Sequence, residues 1–424
     1  MELLDREIIG KIRSWLDKPE IIVLLGARQV GKTCIMKILA SLVPGKSLYF
    51  DLEDSYNLNI FSSVDNFLAY LKARGISEKE RIFVFIDEVQ YLPRPSNFLK
   101  LIHDHYPKIK LIVSGSSSFD IKKKFGDSLT GRKIVFEVYP LSFAEFLKFK
   151  QSEYARTKED VNLHSVLENF KHFTALKIIT EKIIPLFEEY VRFGGYPLPT
   201  LTQQDEQRIL RLKEIHNTYI QKDIKDLAHI DNILEFNKFV SYLAVQISNL
   251  LNINEVIKET GISRRIAEHY ISILGKTFVL NLVKPFYKNR QKEITKMAKM
   301  YFVDNGLRNV NIGDTRFLEI RQDKGALVEN TFYTEITRSK ESLEEIYFWR
   351  AKDKNEVDFI ISKNRELTPM EVKYQNFKFP SMPNSLKSFI ARYSPTRAVV
   401  LTKDFMERTT YLKTEVYFIP VWMA

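Results

Sequence analysis

Ile21-Ile-Val-Leu-Leu-Gly26-Ala-Arg-Gln-Val-Gly31-Lys32-Thr33, residues 21–33, is the stretch on which the fold turns. Its first five residues form an apolar run too short for a buried helix, and the run leads directly into Gly26. A buried parallel strand reads this way when it feeds a phosphate-binding loop. The loop is made of Gly26, Ala27, Arg28, Gln29, Val30, Gly31, Lys32, Thr33 and Cys34, and it has the G-x-x-x-x-G-K-T spacing. Glycines at those positions let successive backbone N–H groups turn inward around phosphate oxygens. Lys32 reaches the β- and γ-phosphates, and the Thr33 hydroxyl ligates magnesium. The following residues, CIMKILASLV, supply a helix whose positive N-terminal end faces the anion.

Working outward, Arg81 to Glu88 (RIFVFIDE) is a second buried-strand pattern, and it ends in two carboxylates. Asp87 is placed to hold the magnesium shell and Glu88 to orient and deprotonate an attacking water. A third run, KIKLIVSGSSS at 108–118, ends in hydroxyls, so Ser116, or Ser114 in its place, is a candidate sensor of the γ-phosphate. SLYFDLE (47–53) and KIVFEVYPL (133–141) complete five strands alternating with helices. That alternation predicts an α/β fold with a five-stranded parallel sheet covered on both faces.

The composition fits a chain of several globular domains. At roughly 150 residues per domain, 424 residues suggest about three. Hydrophobic residues at 45% and charged residues at 28% exclude a disordered chain. The net charge of +11 attracts polyanions, and nucleic acid is the commonest of these. Cys34 is the only cysteine, which excludes an internal disulfide and predicts a reducing compartment. With no signal-peptide core and no apolar stretch long enough to span a bilayer, the expected location is cytoplasmic.

Several segments together resemble the bacterial and archaeal ATPases of the AAA+ superfamily whose C-terminal half carries a restriction-endonuclease-like region. They are GARQVGKT, FIDEVQYLP (85–93), SGSSS (114–118), SLTGR (128–132), PLSFAEF (140–146), FGGYP (193–197), YFVDNGL (301–307), GALVEN (325–330), EVDFI (356–360) and MEVK (370–373). The resemblance implies ATP and magnesium as cofactors. It also makes Arg132 the candidate arginine that neutralises transition-state charge, across a subunit interface in a homo-oligomer. The expected domains are an ATPase domain over 1–150, a helical lid and linker over 151–235, a winged helix-turn-helix over 236–306, and a PD-(D/E)xK nuclease-like domain over 307–424.

Within the third of these, Asn254 is expected to cap a short helix and Gly261 to make the turn. RRIAEHYISIL (264–274) then reads as a recognition helix, its first residues Arg264 and Arg265 facing DNA. Lys284, Lys288, Arg290, Lys292, Lys296 and Lys299 follow in the wing region. In the last domain Glu371 and Lys373 lie two apart on one strand and so share a face. Asp358 on a neighbouring strand and Glu329 on the preceding helix complete the constellation. Asp358 and Glu371 would hold a second divalent metal while Lys373 activates water or stabilises the leaving phosphate charge. Two readings follow: an ATPase acting on DNA with a nuclease-like domain, or an ATP-dependent switch that regulates a protein partner and has no nuclease activity.

Overall fold

The computed structural model describes residues 4–77, 80–115, 129–219, 230, 232–287, 296–351 and 355–424. The chain divides into two compact units, the first built on residues 1–140 and the second on 141–221, 230–275 and 279–424.

The first unit is a five-stranded parallel sheet of β1 (Ile21–Leu25), β2 (Lys46–Asp51), β3 (Ile82–Asp87), β4 (Ile109–Gly115) and β5 (Lys133–Glu137), in the order β2-β3-β4-β1-β5. Every residue of β1, β3 and β4 is buried, because these central strands are covered on both faces and carry continuous runs of Ile, Val, Leu and Phe. The edge strands β2 and β5 are partly exposed. Phe50, Phe61, Phe67 and Phe98 pack edge-to-face and stacked, with Phe50 and Phe61 centroids 4.9 Å apart. Since all five strands run the same way, Leu25, Asp51, Asp87 and Gly115 finish along one rim, where open parallel sheets place their ligands.

The first continuous run of the first unit reaches Pro140, and residues 276–278 also belong to that unit. The helix Phe143–Phe149 belongs to the second unit because Leu141 N–H donates to the Gly195 carbonyl at 2.7 Å. Phe143 also packs on Phe187 and Tyr190. Two glycine-bearing segments interlock here. The helix Lys177–Phe193 stops at Gly194 (φ 72°), and Gly195 N–H donates to the Asp304 carboxylate at 2.8 Å. Asp304 also caps the helix Asn305–Ile312 through Leu307 N–H. A Cβ on Gly194 would overlap the Asp304 carboxylate, and one on Gly306 would overlap the Phe193 carbonyl.

Three helices follow (Ile233–Val245, Ile253–Thr260 and Arg264–Lys276), then an antiparallel ribbon of β6 (Leu280–Val283) and β7 (Lys299–Phe302). The middle helix is capped by Asn252, whose side chain accepts from Asn254 N–H, and not by Asn254 as the sequence suggested. Asn254 lies inside the first turn and accepts from Arg264 at 2.7 Å. Past the helix Lys324–Ser339, the unit closes on a six-stranded sheet of β8 (Glu344–Arg350), β9 (Glu356–Lys363), β10 (Glu366–Val372), β11 (Arg397–Thr402), β12 (Glu407–Tyr411) and β13 (Thr414–Pro420). Its order is β12-β13-β11-β10-β9-β8. Strands β10, β11 and β13 are parallel, with the helix Asn384–Tyr393 crossing from β10 to β11. Trp349, Val357, Ile360, Leu386, Phe389, Val400 and Phe418 form the core beneath that helix. No helix of the described residues is long and apolar enough to cross a membrane.

Candidate functional site

The phosphate loop leaves β1 at Gly26, where a Cβ would overlap the Val138 carbonyl. Gln29 (φ 60°) and Gly31 (φ 97°) both take left-handed backbone, and Gly31 is the N-cap of the helix Lys32–Leu42. Ala27 and Val30 are buried, Arg28 and Cys34 half-buried, and Gln29 and Thr33 exposed. The Lys32 ammonium is buried and donates to the carbonyls of Gly26 at 3.0 Å and Ala27 at 2.8 Å. Those are the two residues that open the loop, so the ammonium lies in its mouth.

Asp87 ends β3, only 2% exposed, and collects hydroxyls. Thr33 and Tyr49 each donate to Oδ2 at 2.6 Å, and Ser114 donates to Oδ1. Ser114 sits opposite Leu24 on β4, the strand between β3 and β1, and also accepts from Glu88 N–H at 3.2 Å. Of the two serines considered as sensors, Ser114 thus serves Asp87, and Ser116 lies outside the described residues. Burial, followed by the hydrogen bond to Asp87, pushes the Tyr49 hydroxyl far above its ordinary pKa, so it stays a donor at any working pH. Tyr49 was not anticipated from sequence; the register that pairs Asp51 of β2 with Asp87 of β3 puts Tyr49 on the same face as Asp87.

Glu88 adopts φ 53°, ψ 49°, an uncommon left-handed conformation for a residue with a side chain. Gln90 donates to its carboxylate. Backbone held in such a region points to a constrained functional position. A hydroxyl and a carboxylate 2.6 Å apart at the loop's end are hard oxygen donors. They suit magnesium, which keeps most of its shell as water and phosphate oxygens. Arg132 lies elsewhere. Its backbone carbonyl accepts from Ile21 N–H at the start of β1, so it stands at the rim opposite the loop. Its guanidinium is held by Asp104 at 2.7 Å, which keeps that carboxyl well below the usual carboxylate range.

The second cluster is in the other unit, and the structure brings all four expected residues into it. Val372 N–H donates to Asp358 at 2.9 Å, and Lys373 pairs with Glu371 at 2.9 Å, with Ser385 also on Glu371. Lys299, expected on the wing surface, is instead 3% exposed and reaches Glu329 at 2.8 Å, Glu356 at 2.7 Å and Asp358 at 3.3 Å. Tyr301 donates to Glu329 at 2.7 Å.

Burial, then the Asp358 charge, pushes Glu329 and Glu371 up to about 7. Burial alone would lower the Lys299 ammonium, but Glu329 and the other acids around it override this and hold it well above its ordinary value. Four carboxylates face two ammoniums, so Lys299 keeps its proton, and Glu329 and Glu371 hold theirs to higher pH than free carboxylates do. Among the described residues no group of three or more His, Cys, Asp or Glu is arranged to hold a metal ion. The protein's own ammonium bridges three of the four acids, and this donor set does not fit a resident metal.

Arg264 and Arg265 open the helix Arg264–Lys276 on its exposed side, Arg264 3.4 Å from Glu268. Lys284 and Lys296 are exposed, while Lys288, Arg290 and Lys292 lie outside the described residues.

A buried parallel sheet, a phosphate loop closed by a helix and an acid-tipped strand one removed from the loop strand define the first unit as a P-loop ATPase domain of the AAA type. Residues 18–147 match the family model described as an AAA domain. Residues 184–316 and 324–423 match two domains of unknown function (DUF8612 and DUF4143). The chain is similar to an uncharacterized protein of Methanocaldococcus jannaschii, 27% identical over 356 residues, covering 82% of this chain and 74% of the relative. It is also similar to an uncharacterized protein of Haemophilus influenzae, 22% identical over 438 residues, covering 99% and 98%. Among solved structures it is similar to a Walker-type ATPase of Pyrococcus abyssi, with TM-score 0.45, 15% identity, and 72% of this chain and 95% of that one covered. The RuvB Holliday junction branch migration motor of Thermotoga maritima matches with TM-score 0.32 and 17% identity, over 69% and 95%.

Proposed function

We propose that this protein binds ATP with magnesium and hydrolyses it, and that the cycle drives a switch acting on DNA. The observation that carries the reading is the convergence of Lys32, Thr33, Ser114 and Asp87 on the mouth of one phosphate loop. Lys32 exchanges its two loop carbonyls for β- and γ-phosphate oxygens. Thr33 and Asp87 would hold magnesium, whose charge would offset the one developing on the transferred phosphoryl group. Glu88 accepts the proton of the attacking water while Gln90 steadies its carboxylate. Arg132, at the far rim of its own sheet, would serve only the site of a second copy in a homo-oligomer.

The three helices and β6–β7 ribbon support a winged-helix reading in which Arg264 and Arg265 meet DNA. A second reading, a switch regulating a protein partner without nuclease activity, is favoured by Lys299 bridging the acids of the nuclease-like cluster. No cleavage step is assigned to that cluster.

ATP turnover with magnesium, measured with and without double- and single-stranded DNA while the DNA is watched for cleavage, separates the readings. Stimulation that is lost on reversing charge at Arg264 and Arg265 supports the DNA switch. Turnover indifferent to DNA moves the weight to the protein switch, and cleavage abolished by Lys373→Ala would overturn our reading of the C-terminal cluster. Absence of turnover under every condition would remove the ATPase assignment.

A further inference from the structure

We propose that Arg6 is a positioning residue for the nucleotide's phosphates, acting through the Val30–Gly31 peptide of the loop. Arg6 precedes the short helix Glu7–Arg13, far from any sequence motif, yet it is 7% exposed. One nitrogen of its guanidinium donates to the Val30 carbonyl at 2.8 Å and another to the Tyr139 carbonyl at 2.9 Å. Those two carbonyls belong to the loop and to the segment just after β5.

The loop is therefore fixed at both ends to the same neighbouring segment. At its start, Gly26 packs on the Val138 backbone and Val138 N–H donates to Leu25 at 2.6 Å. At its far end the tie is Arg6. A guanidinium is planar and presents its donors in a rigid fork, so two carbonyls bound to it are fixed relative to each other. A hydrocarbon or ammonium side chain of the same length lacks that fork.

The consequence follows from peptide geometry. In a trans peptide the C=O and the following N–H point in opposite directions. With the Val30 carbonyl aimed at Arg6, the Gly31 N–H is aimed away from Arg6. Gly31 is the left-handed residue immediately before Lys32 and Thr33, and a phosphate loop works by turning such N–H groups onto the anion. Arg6 thus orients a phosphate donor without touching phosphate, and its own charge sits on the loop's outer side.

This inference rests on the loop being an ATP site, and the test keeps the two apart. Calorimetry would compare ADP, ATP and adenosine binding to the wild type, Arg6→Lys and Arg6→Met, with circular dichroism to confirm folding. Wild-type protein that binds no nucleotide overturns the ATP reading and this inference with it. Given wild-type binding, Arg6→Met should weaken ADP and ATP at least tenfold, about 1.4 kcal/mol, and leave adenosine unchanged. Arg6→Lys, which keeps the charge but loses the fork, should fall between the two, and it decides the matter if Arg6→Met does not fold. Unchanged ADP affinity in either folded variant, or an equal loss for adenosine, would overturn the positioning role.

Discussion

Replacing Lys299 by Met removes an ammonium and keeps the volume of the side chain. The ammonium is 3% exposed, and its partners Glu329, Asp358 and Glu356 are 14%, 13% and 24% exposed, so water cannot stand in for it. Breaking a buried ion pair by deleting one partner costs about 3–5 kcal/mol. That is a large share of a typical stability of about 5–15 kcal/mol. The cost should depend on pH. Glu329 and Glu371 have folded values near 7 against an ordinary 4.5. Their protonated forms therefore contribute stability that is complete below about 4.5 and lost as pH rises through about 7. Without Lys299, whose charge and hydrogen bond lower Glu329, that acid holds its proton to still higher pH. The wild-type curve should flatten above about 7, while that of Lys299→Met keeps falling by about 1.4 kcal/mol per pH unit for each proton retained.

Urea unfolding between pH 5.5 and 8.5 reads this directly. Of the three tryptophans, Trp349 and Trp422 are buried in the second unit, so a Trp15→Phe background confines the fluorescence change to it. Adding Glu329→Gln to Lys299→Met should recover part of the loss at pH 8, because it removes one uncompensated carboxylate. A Lys299→Met protein as stable as its parent at pH 8, or a loss that does not grow with pH, would refute the view that Lys299 compensates this cluster.

Three further outcomes are expected. Glu88→Gln should bind ATP as the parent does while its turnover falls by roughly 100-fold or more, whereas Lys32→Ala should lose binding; rapid-quench turnover and calorimetry distinguish them. Tyr49→Phe leaves Asp87 with one hydroxyl fewer, so the magnesium concentration giving half-maximal turnover should rise roughly tenfold, with ATP affinity in EDTA unchanged. Gly194→Ala combines left-handed strain with overlap on Asp304 and should cost more than about 2 kcal/mol by thermal denaturation. The control Gly313→Ala, at φ 71° with nothing within 4 Å, should cost only about 1–2 kcal/mol.

The phosphate loop was legible because its requirements are local. Strand, glycines, lysine, threonine and helix all fall within residues 21–43, and each constrains its neighbour. Asp87 and Glu88 were legible for the same reason, each closing an apolar run. What escaped the sequence depends on partners far along the chain. Arg6 meets residues 24 and 133 positions away, and Lys299 meets acids 30 and 59 positions away. No periodicity encodes such separations.

The capping residue is a milder case. Asn252 and Asn254 both have the right chemistry, and the apolar stripe Ile253, Val256, Ile257 decides between them only when the helix is started at 253. For Lys299 a signal was present and pointed the wrong way. Its place in a basic stretch assigns it to the wing, but the residues after it, Met300-Tyr-Phe, are apolar on both faces, and all four residues of β7 are buried. On a strand buried on both faces a cation has no exposed side to occupy, so it must find carboxylates. The acids it finds are Glu329, Glu356 and Asp358, the last of them one of the two expected metal ligands. Of the two acids that suggested a second metal, Asp358 is thus held by Lys299 and Glu371 by Lys373.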